Sequence, residues 1–291
     1  MRHRAAPCVV YFVPMRNLSA WIDTRDRVLV MGILNVTPDS FYNDSRFVNP
    51  SQAVERALQM QADGADIIDV GGESSRPGSD PVSTQTEIDR VLPVVAGIHS
   101  RSDVYISIDT TKADVAHEAL TAGATIVNDI SAFRFDREMA AVVAQHDAYA
   151  ALMHMKGTPK TMQDAPEYDD VVAEVGSFLR ERKRVAEAAG VRRDRLFLDP
   201  GIGFGKRLSD NLELIVRLGE IAALGSPVVI GVSRKSFLGH LLTVEADQRL
   251  EGTIAANAIA VANGADIIRV HDVREGRRTA DVAFRLRRSD R

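Results

Sequence analysis

The chain has 291 residues, 45% of them hydrophobic and 26% charged, with a formal net charge of −4 at pH 7. This ordinary globular composition excludes a disordered or collagen-like chain, and the slightly acidic balance argues against binding to nucleic acid. The single cysteine, Cys8, excludes an internal disulfide and a thiolate zinc site.

Residues 1–27 are predicted to form an N-terminal extension that is disordered in part. Its apolar run from Pro7 to Met15 follows Arg2 and Arg4, as in a signal peptide, but the run is short and lacks a clean small-residue cleavage site. No stretch of the sequence approaches the roughly 18 apolar residues that a membrane span needs. We therefore expect a cytoplasmic protein without a membrane partner.

Eight short runs rich in β-branched residues are predicted to be strands. Most are almost continuously apolar, as in parallel strands that are covered on both faces. The runs are Val28–Leu34, Ile67–Val70, Val104–Ile108, Ile126–Val127, Ala150–Met153, Leu196–Leu198, Val228–Val232 and Ile267–Val270. Helical patterns are Ser51 to Gly64 with Ser51 as its cap, Lys112 to Ala122, Asp170 to Ala189, Asn211 to Ala223 and Gly252 to Ala262.

The alternation of strands and helices predicts an α/β fold with a parallel sheet. Eight units spaced by about 33 residues match a single (β/α)8 TIM barrel, which we expect over residues 28–291. A doubly wound sheet more often has fewer strands and a glycine-rich phosphate turn after the first, and no such turn follows Leu34. The Arg-rich run from Arg274 to Arg291 is interpreted as a solvent-exposed helix face.

A short repeat occurs three times. Gly64 to Asp69, Gly123 to Asn128 and Gly264 to Arg269 each begin with a glycine that ends a helix, cross a tight turn and enter a strand. Barrel geometry explains the glycine, but it does not explain why buried strands should end in Asp, Asn and Arg. Because burying such groups without partners costs several kcal/mol each, we expect a ligand or a polar network to satisfy them.

In a barrel, functional residues gather at the carboxyl ends of the strands. Carboxylates and amides at that face suit the N–H edge of a heterocycle, while Arg, Lys and His suit a phosphate. The residues expected there are Asn35, Glu73, Arg76, Asp109, Asn128, Asp129, His154, Asp199, Ser233, Arg234, Lys235, Arg269 and His271. This set predicts a site for a heterocycle that carries a phosphate or diphosphate.

Several of these features have alternative interpretations. Gly201 to Lys206 is similar to nucleotide-binding glycine motifs but lacks their full pattern, so we interpret it as a flexible loop over the site. Lys235 could be the Schiff-base lysine of an aldolase, although Arg234 beside it fits an anion site equally well. His154 is interpreted as a core histidine. Because no cluster has the spacing of a metal cage, any metal should arrive with phosphate oxygens, as Mg²⁺ does.

Eight ordered segments resemble the motifs of the dihydropteroate synthase family. Met31 to Phe41 is similar to its first signature and Asp69 to Gly78 to its second loop. The other matches, in the family's order, are Ser107 to Thr110, Val127 to Ile130, Met153 to Met155, Leu198 to Gly201, Ser233 to Ser236 and Arg269 to Asp272. The resemblance implies a homodimeric transferase of folate biosynthesis that condenses 6-hydroxymethyl-7,8-dihydropterin diphosphate with p-aminobenzoate, giving 7,8-dihydropteroate and diphosphate.

The resemblance also implies roles for particular residues. Catalysis would involve Asp109, Lys235, Arg269 and His271. The pterin would be bound by Asp109, Asn128, Ile130, Met153, Asp199, Lys235 and Arg269. The diphosphate would be held by Asn35, Arg76, Arg269 and His271, with Mg²⁺ at Asn35. The p-aminobenzoate pocket would be formed by Thr37, Pro38, Phe41, Ser75, Arg76, Pro77, Phe204, Lys206 and Ser233.

One segment departs from the family's pattern. The family usually continues its first loop as Ser-Asp-Gly-Gly, whereas here Tyr42-Asn43-Asp44-Ser45 follows Phe41. Because losing glycines narrows the accessible backbone conformations, a pterin-binding paralogue with weak or no synthase activity is the first alternative. A folate-binding methyltransferase barrel is another, but such proteins need neither the Ser-Arg-Lys segment nor the Thr-Pro-Asp-Ser loop that this chain has.

Overall fold

The computed structural model describes residues 18–37, 49–74 and 78–289. The strands in these ranges are β1 Leu29–Asn35, β2 Ile67–Gly71, β3 Tyr105–Asp109, β4 Ile126–Asp129, β5 Tyr149–Met153, β6 Leu196–Asp199, β7 Val229–Ile230 and β8 Ile267–Val270. The helices are α1 Leu18–Thr24, α2 Pro50–Ala62, α3 Thr84–His99, α4 Ala113–Thr121, α5 Met139–Gln145, α6 Val171–Ala188, α7 Leu208–Val216, α8 Leu218–Ala222, α9 Ser236–Leu242, α10 Leu250–Ala262 and α11 Val273–Ser289. Every predicted strand is present, and the (β/α)8 TIM barrel is confirmed.

The strands form one parallel ring. Their order is β6-β5-β4-β3-β2-β1-β8-β7, and Leu198 closes the ring by pairing in parallel with Val228. Asn35 pairs with Gly71, Gly71 with Asp109 and Asp109 with Asn128, so the carboxyl ends of the first four strands lie at one level. The predicted polar residues at these ends therefore surround a common opening.

The alternation of side chains along each strand divides the core into two layers. Met31 belongs to the cluster inside the barrel, whereas its neighbour Val30 packs outward against the helices. Leu18 and Trp21 of α1 join the inner cluster, and the Leu18 N–H donates to the hydroxyl of Tyr105, the first residue of β3, at 2.9 Å. Helix α1 therefore covers the amino-terminal end of the barrel, opposite the strand ends that carry the polar residues.

Two predicted helices differ in detail from the structure. Helix α2 begins at Pro50 because Asn49, not Ser51, is its cap: the Asn49 side chain accepts the Ser51 N–H at 3.0 Å. The predicted helix from Asn211 to Ala223 is two helices, α7 and α8. They meet at Arg217, where φ −96° and ψ 21° depart from helical values.

The aspartates of two repeats lie at the amino-terminal end of the barrel. Buried Asp66 accepts a hydrogen bond from Arg277 of α11 at 3.1 Å, and Asp266 binds Arg25 at 3.2 Å. The prediction of an exposed face is therefore wrong for Arg277, whose side chain is only 11% exposed, because the buried Asp66 carboxylate requires a cationic partner. No helix in the described ranges is long and apolar enough to cross a membrane.

Candidate active site

The residues that end the three repeats belong to one buried network at the carboxyl ends of the strands. Oδ2 of Asp69 on β2 accepts hydrogen bonds from Asn128 Nδ2 on β4 at 3.0 Å and from Arg269 Nε on β8 at 2.6 Å. Asp69 and Asn128 are buried, and the Arg269 side chain is 20% exposed. The expected polar network is confirmed, and it ties together strands from opposite parts of the sequence.

Arg269 also connects Asp109 to this network. Its Nη2 donates to Asp109 Oδ2 at 2.6 Å. Burial alone would lower the pKa of Arg269, but Asp69 and Asp109 raise it above its ordinary value. Burial raises the pKa of Asp109 to about 7, although Arg269 acts in the opposite direction. Asp109 is therefore a carboxylate whose charge is only partly compensated by the protein, so further positive charge beside it would be stabilised.

Asn35 lies close to Asp109, at the end of β1. A Cβ atom on Gly71 would lie 3.8 Å from Asp109 Oδ2 and 3.9 Å from Asn35 Oδ1, so both oxygens lie over the same strand end. The described residues contain no group of three or more His, Cys, Asp or Glu that could hold a metal. The amide oxygen of Asn35 is a hard ligand of the kind that Mg²⁺ accepts, provided that other oxygens complete its shell.

Asp199 and Lys235 form the other side of the opening. Asp199 Oδ1 accepts the Gly201 N–H at 2.7 Å, and burial raises the pKa of Asp199 although Lys235 and this hydrogen bond lower it. Lys235 Nζ donates to the carbonyl of Ile202 and lies 4.6 Å from the centre of the Phe204 ring. Burial lowers the pKa of Lys235 to about 8. Both groups are desolvated, so a polar heterocycle bound against them would recover part of that cost.

The glycine-rich segment from Gly201 to Lys206 is held tightly in place. Buried Lys206 contacts His154 Nδ1 through Nζ at 2.9 Å and donates to the Phe204 carbonyl at 3.0 Å. At Gly201, φ is +70° and a Cβ would lie 1.9 Å from the His154 carbonyl oxygen. The interpretation as a flexible loop is therefore wrong, because these contacts fix both ends of the segment.

His154 is a core histidine, as predicted. Burial, together with the nearby charge of Lys206, lowers the pKa of His154 to about 2. The ring is therefore neutral and can accept a hydrogen bond from the Lys206 ammonium group. Lys206, predicted to line the p-aminobenzoate pocket, directs its amine into the protein.

The loops that follow β7 and β8 meet through two pairs of side chains. Ser233 Oγ lies 3.0 Å from His271 Nδ1 and also accepts the His271 N–H at 3.2 Å. Arg234 makes two hydrogen bonds of 2.8 Å to the Asp272 carboxylate, from Nε and Nη2. The interpretation of Arg234 as part of an anion site is corrected, since its guanidinium holds the two loops together and so positions Ser233 and His271.

Two more of the expected residues serve the protein itself. Asp129 accepts the Ser131 N–H at 2.7 Å and shapes the turn after β4. Glu73 binds Lys112, which also binds the buried Glu87. The sequence reasoning missed Lys112 and Glu87, because Glu87 looks like an ordinary charge in the first turn of a helix until its burial is known. Among the described residues, the carboxylates of Asp109 and Asp199 remain for a ligand, and Oδ1 of buried Asp69 also lacks a hydrogen-bond partner.

An apolar wall stands beside the polar residues. Ile130, Met153, Met155 and Met162 form one buried cluster, and Phe204 packs against it. A cavity of about 320 Å³ opens between the loops that follow β2, β3, β4 and β5, with Asp109 and Ile130 on its wall. A flat molecule with one polar edge fits such a combination of an apolar wall and desolvated polar groups.

Part of the predicted site falls on residues that the structure does not describe. Thr37 is described, two residues beyond Asn35. The predicted residues Pro38, Phe41, Ser75, Arg76 and Pro77, and the unusual segment Tyr42 to Ser45, lie outside the described residues. Their predicted roles therefore stay predictions.

The chain matches the sequence model of a family described as pterin binding enzyme, over residues 31–271. Among curated relatives, the dihydropteroate synthase of Escherichia coli (strain K12) is 49% identical over 246 residues, which are 84% of this chain and 87% of that protein. The dihydropteroate synthase of Synechocystis is 44% identical over 265 residues, 91% of this chain and 92% of that protein.

Solved structures agree with this similarity. The Yersinia pestis dihydropteroate synthase in complex with a sulfonamide drug matches with a TM-score of 0.86 and 43% identity, over 91% of this chain and 96% of that chain. The Xanthomonas albilineans dihydropteroate synthase in complex with 7,8-dihydropteroate matches with a TM-score of 0.82 and 40% identity, over 90% and 94% of the two chains. The similarity thus covers the whole barrel.

Proposed function

We infer that this chain, which belongs to the dihydropteroate synthases of the pterin-binding enzyme family, joins 6-hydroxymethyl-7,8-dihydropterin diphosphate to p-aminobenzoate. The reaction forms a bond between the pterin methylene carbon and the arylamine nitrogen, and it breaks the bond between that carbon and the diphosphate oxygen. The chain is therefore a transferase of folate biosynthesis. One observation carries this assignment: five polar residues converge at the carboxyl ends of the strands of one barrel, namely Asp109, Asn128, Asp199, Lys235 and Arg269.

The pterin would lie between the acids and the apolar wall. Its amino-pyrimidine edge carries N–H groups, and Asp199 would accept hydrogen bonds from them, with Asn128 and Asp109 beside it. Lys235 would donate to the acceptor atoms of the ring, and Arg269 would stack over its flat face. The two carboxylates that fix the Arg269 guanidinium support this role, because an immobilised guanidinium loses little entropy when a ligand binds.

The chemistry requires negative charge near the reacting carbon. When diphosphate departs, positive charge develops on a methylene that is conjugated to the pterin ring, and the Asp109 carboxylate would stabilise it. The raised pKa of Asp109 supports this role, since a partly uncompensated carboxylate gains most from a new positive charge. No strong base is needed, because the arylamine nitrogen is nucleophilic when it is neutral and passes its proton to solvent after the bond forms.

The leaving group would be held beside Asp109, because Asn35 and Arg269 both lie next to this carboxylate. Asn35, Arg269 and His271 would bind the diphosphate, and Mg²⁺ would be bound by the amide oxygen of Asn35 and by phosphate oxygens. A single hard oxygen ligand from the protein fits a metal that brings most of its shell with the substrate. Mg²⁺, when bound, lowers the cost of negative charge on the departing diphosphate. The hydrogen bond between Ser233 and His271 Nδ1 would help to orient the imidazole at the diphosphate.

The p-aminobenzoate would bind at the outer edge of the pterin site. Phe204 would form one wall of that pocket, since its ring stands between Lys235 and the methionine cluster. Ser233 and Thr37 would supply hydroxyl groups from the neighbouring loops. Lys206 would contribute by holding the Phe204 segment against His154, which is a different role from direct contact with the arylamine.

We propose that the protein is a homodimer and that it is located in the cytoplasm. Exposed apolar side chains lie on helices of one side of the barrel: Val216 on α7 is 66% exposed, Ile259 on α10 is 50% exposed, and Val282 and Leu286 on α11 are 61% and 63% exposed. A group of large apolar side chains on adjacent helices supports an interface with a second copy. The use of one cysteine in the sequence is compatible with a reducing compartment.

Release of diphosphate tests the proposed reaction. Tag-free protein is mixed with 6-hydroxymethyl-7,8-dihydropterin diphosphate and Mg²⁺, with and without p-aminobenzoate, and diphosphate is measured enzymatically. We expect release only when the arylamine is present, with equimolar 7,8-dihydropteroate detected by chromatography, and loss of release after chelation of Mg²⁺. Pterin binding without turnover would favour the inactive paralogue, and release that does not depend on the arylamine would refute the synthase assignment.

A further inference from the structure

Two histidines on the outer helices lie in direct contact, away from the barrel mouth. His117 is an exposed residue of α4, and His146 is the C-terminal cap of the adjacent helix α5. His146 Nε2 lies 3.0 Å from His117 Nδ1, and the ring planes are 69° apart. Since His146 comes shortly before β5, which begins at Tyr149, the pair lies towards the amino-terminal end of the barrel.

The contact leaves the pair in a state that suits a metal ion. Two imidazoles at this distance can share one proton, but they do not readily carry a positive charge each. Burial and the neighbouring His117 lower the pKa of His146, so the pair holds at least one neutral ring at neutral pH. Neutral imidazole nitrogens are the ligands that Zn²⁺, Ni²⁺ and Cu²⁺ prefer.

The separation of the two nitrogens also fits a metal. Two imidazole nitrogens that each lie about 2.05 Å from a metal ion and 3.0 Å from each other subtend an angle of about 94° at the metal. This value lies between the angles of octahedral and tetrahedral coordination. Rotation of the two surface rings would aim both lone pairs at that point, with the metal replacing the shared proton.

We propose that His117 and His146 form a surface site for a borderline divalent transition metal such as Zn²⁺ or Ni²⁺. Within the described ranges no third His, Cys, Asp or Glu joins them, so water completes the coordination shell and the ion exchanges readily. One ligand lies in the middle of α4 and the other caps the C-terminus of α5, so the bound ion cross-links the two helices. The site is separate from the Mg²⁺ proposed at Asn35, because a hard ion favours oxygen ligands over imidazole pairs.

Calorimetric titration of Zn²⁺ into the full-length chain, without a polyhistidine tag and in a non-chelating buffer, tests the site. We expect a binding step of one ion per chain whose affinity falls at least tenfold in His117→Ala and in His146→Ala. His240→Ala removes an exposed histidine of α9 and is the matched control, with unchanged affinity expected. Thermal melting and circular dichroism establish that each variant is folded.

Imidazole nitrogen NMR identifies the ligands directly. We expect Zn²⁺, but not Mg²⁺, to shift His117 Nδ1 and His146 Nε2 together. Equal Zn²⁺ affinity in the wild type and in the folded double alanine variant would overturn the proposal. Diphosphate release in metal-free buffer supplemented with Mg²⁺ should be the same in His117→Ala and wild type, so the failure of this site and the failure of the synthase assignment are distinguishable.

Discussion

Replacing Asp199 by asparagine tests the core of the pterin site. The side chain keeps its shape, and its remaining carbonyl oxygen can still accept the Gly201 N–H, which lies 2.7 Å from Oδ1. The ligand loses an ionised acceptor and meets an amide N–H₂ group instead. Hydrogen bonds to a charged group are worth about 1.5–3 kcal/mol each, so losing two of them costs about 3 kcal/mol or more. This corresponds to at least about a 100-fold weaker affinity for the pterin.

The same substitution should not weaken the fold. Burial raises the pKa of Asp199, which means that the free protein holds the ionised carboxylate at a cost. A neutral amide avoids that cost, so the melting temperature of Asp199→Asn should equal or exceed that of the wild type. An affinity loss together with unchanged or higher stability separates a binding role from a structural one.

Calorimetry with 6-hydroxymethyl-7,8-dihydropterin measures the affinity. Asp194→Asn is the matched control: Asp194 precedes β6 at its other end, is 48% exposed and pairs with Arg192, so its substitution should leave binding unchanged. If folded Asp199→Asn binds the pterin as tightly as the wild type, the assignment of the pocket is wrong.

Three further experiments test the charge, the backbone and the surface of the barrel. Burial lowers the pKa of Lys235 to about 8, so the amine loses its positive charge as the pH rises from about 7 to about 9.5. The affinity for the pterin should therefore fall up to about tenfold over this range. In Lys235→Gln the affinity should not change with pH in this way. Gly201→Ala should lower the free energy of unfolding in urea by at least about 2 kcal/mol, because its Cβ would lie 1.9 Å from a carbonyl oxygen. Gly225→Ala is the control and should lower this free energy much less, because φ is +87° there too but no atom lies within 4 Å of the new Cβ. Val282→Glu combined with Leu286→Glu should give a monomer by sedimentation, and an unchanged dimer would exclude an interface through α11.

The strands could be predicted from the sequence because a parallel barrel strand is a local signal. Both of its faces are covered, so almost every residue is apolar, and the pattern does not depend on distant residues. Helix α3 gives a weaker signal, because Pro93 and Gly97 lower its helix propensity although Val91, Val94 and Ile98 keep a helical spacing. It is held by the burial of Val91, Val94 and Ile98 against the barrel, which is a property of the assembled fold.

The partners of the buried polar groups could not be predicted in the same way. The sequence indicated that Asp69, Asn128 and Arg269 need partners. However, Asn128 lies 59 residues and Arg269 lies 200 residues from Asp69 along the chain. The pairing of Arg234 with Asp272, and of Lys206 with His154, likewise depends on loops that meet only in three dimensions. For this reason residue types at the site could be predicted, whereas the division between ligand-binding groups and groups that hold loops could not.

The distribution of charged side chains at the carboxyl ends of the strands suits a transition state that carries positive charge. In the described part of the chain, the carboxylates of Asp69, Asp109 and Asp199 lie among the cations Arg269, Lys235 and Lys206, and burial lowers the pKa of both lysines. Oδ2 of Asp69 accepts hydrogen bonds from Asn128 and Arg269, whereas the carboxylates of Asp109 and Asp199 are desolvated and their charge is only partly compensated. Their raised pKa values are the consequence. In the proposed reaction, an N–H-rich heterocycle that becomes positive as diphosphate leaves would relieve both carboxylates most at the transition state, and this difference would lower the barrier.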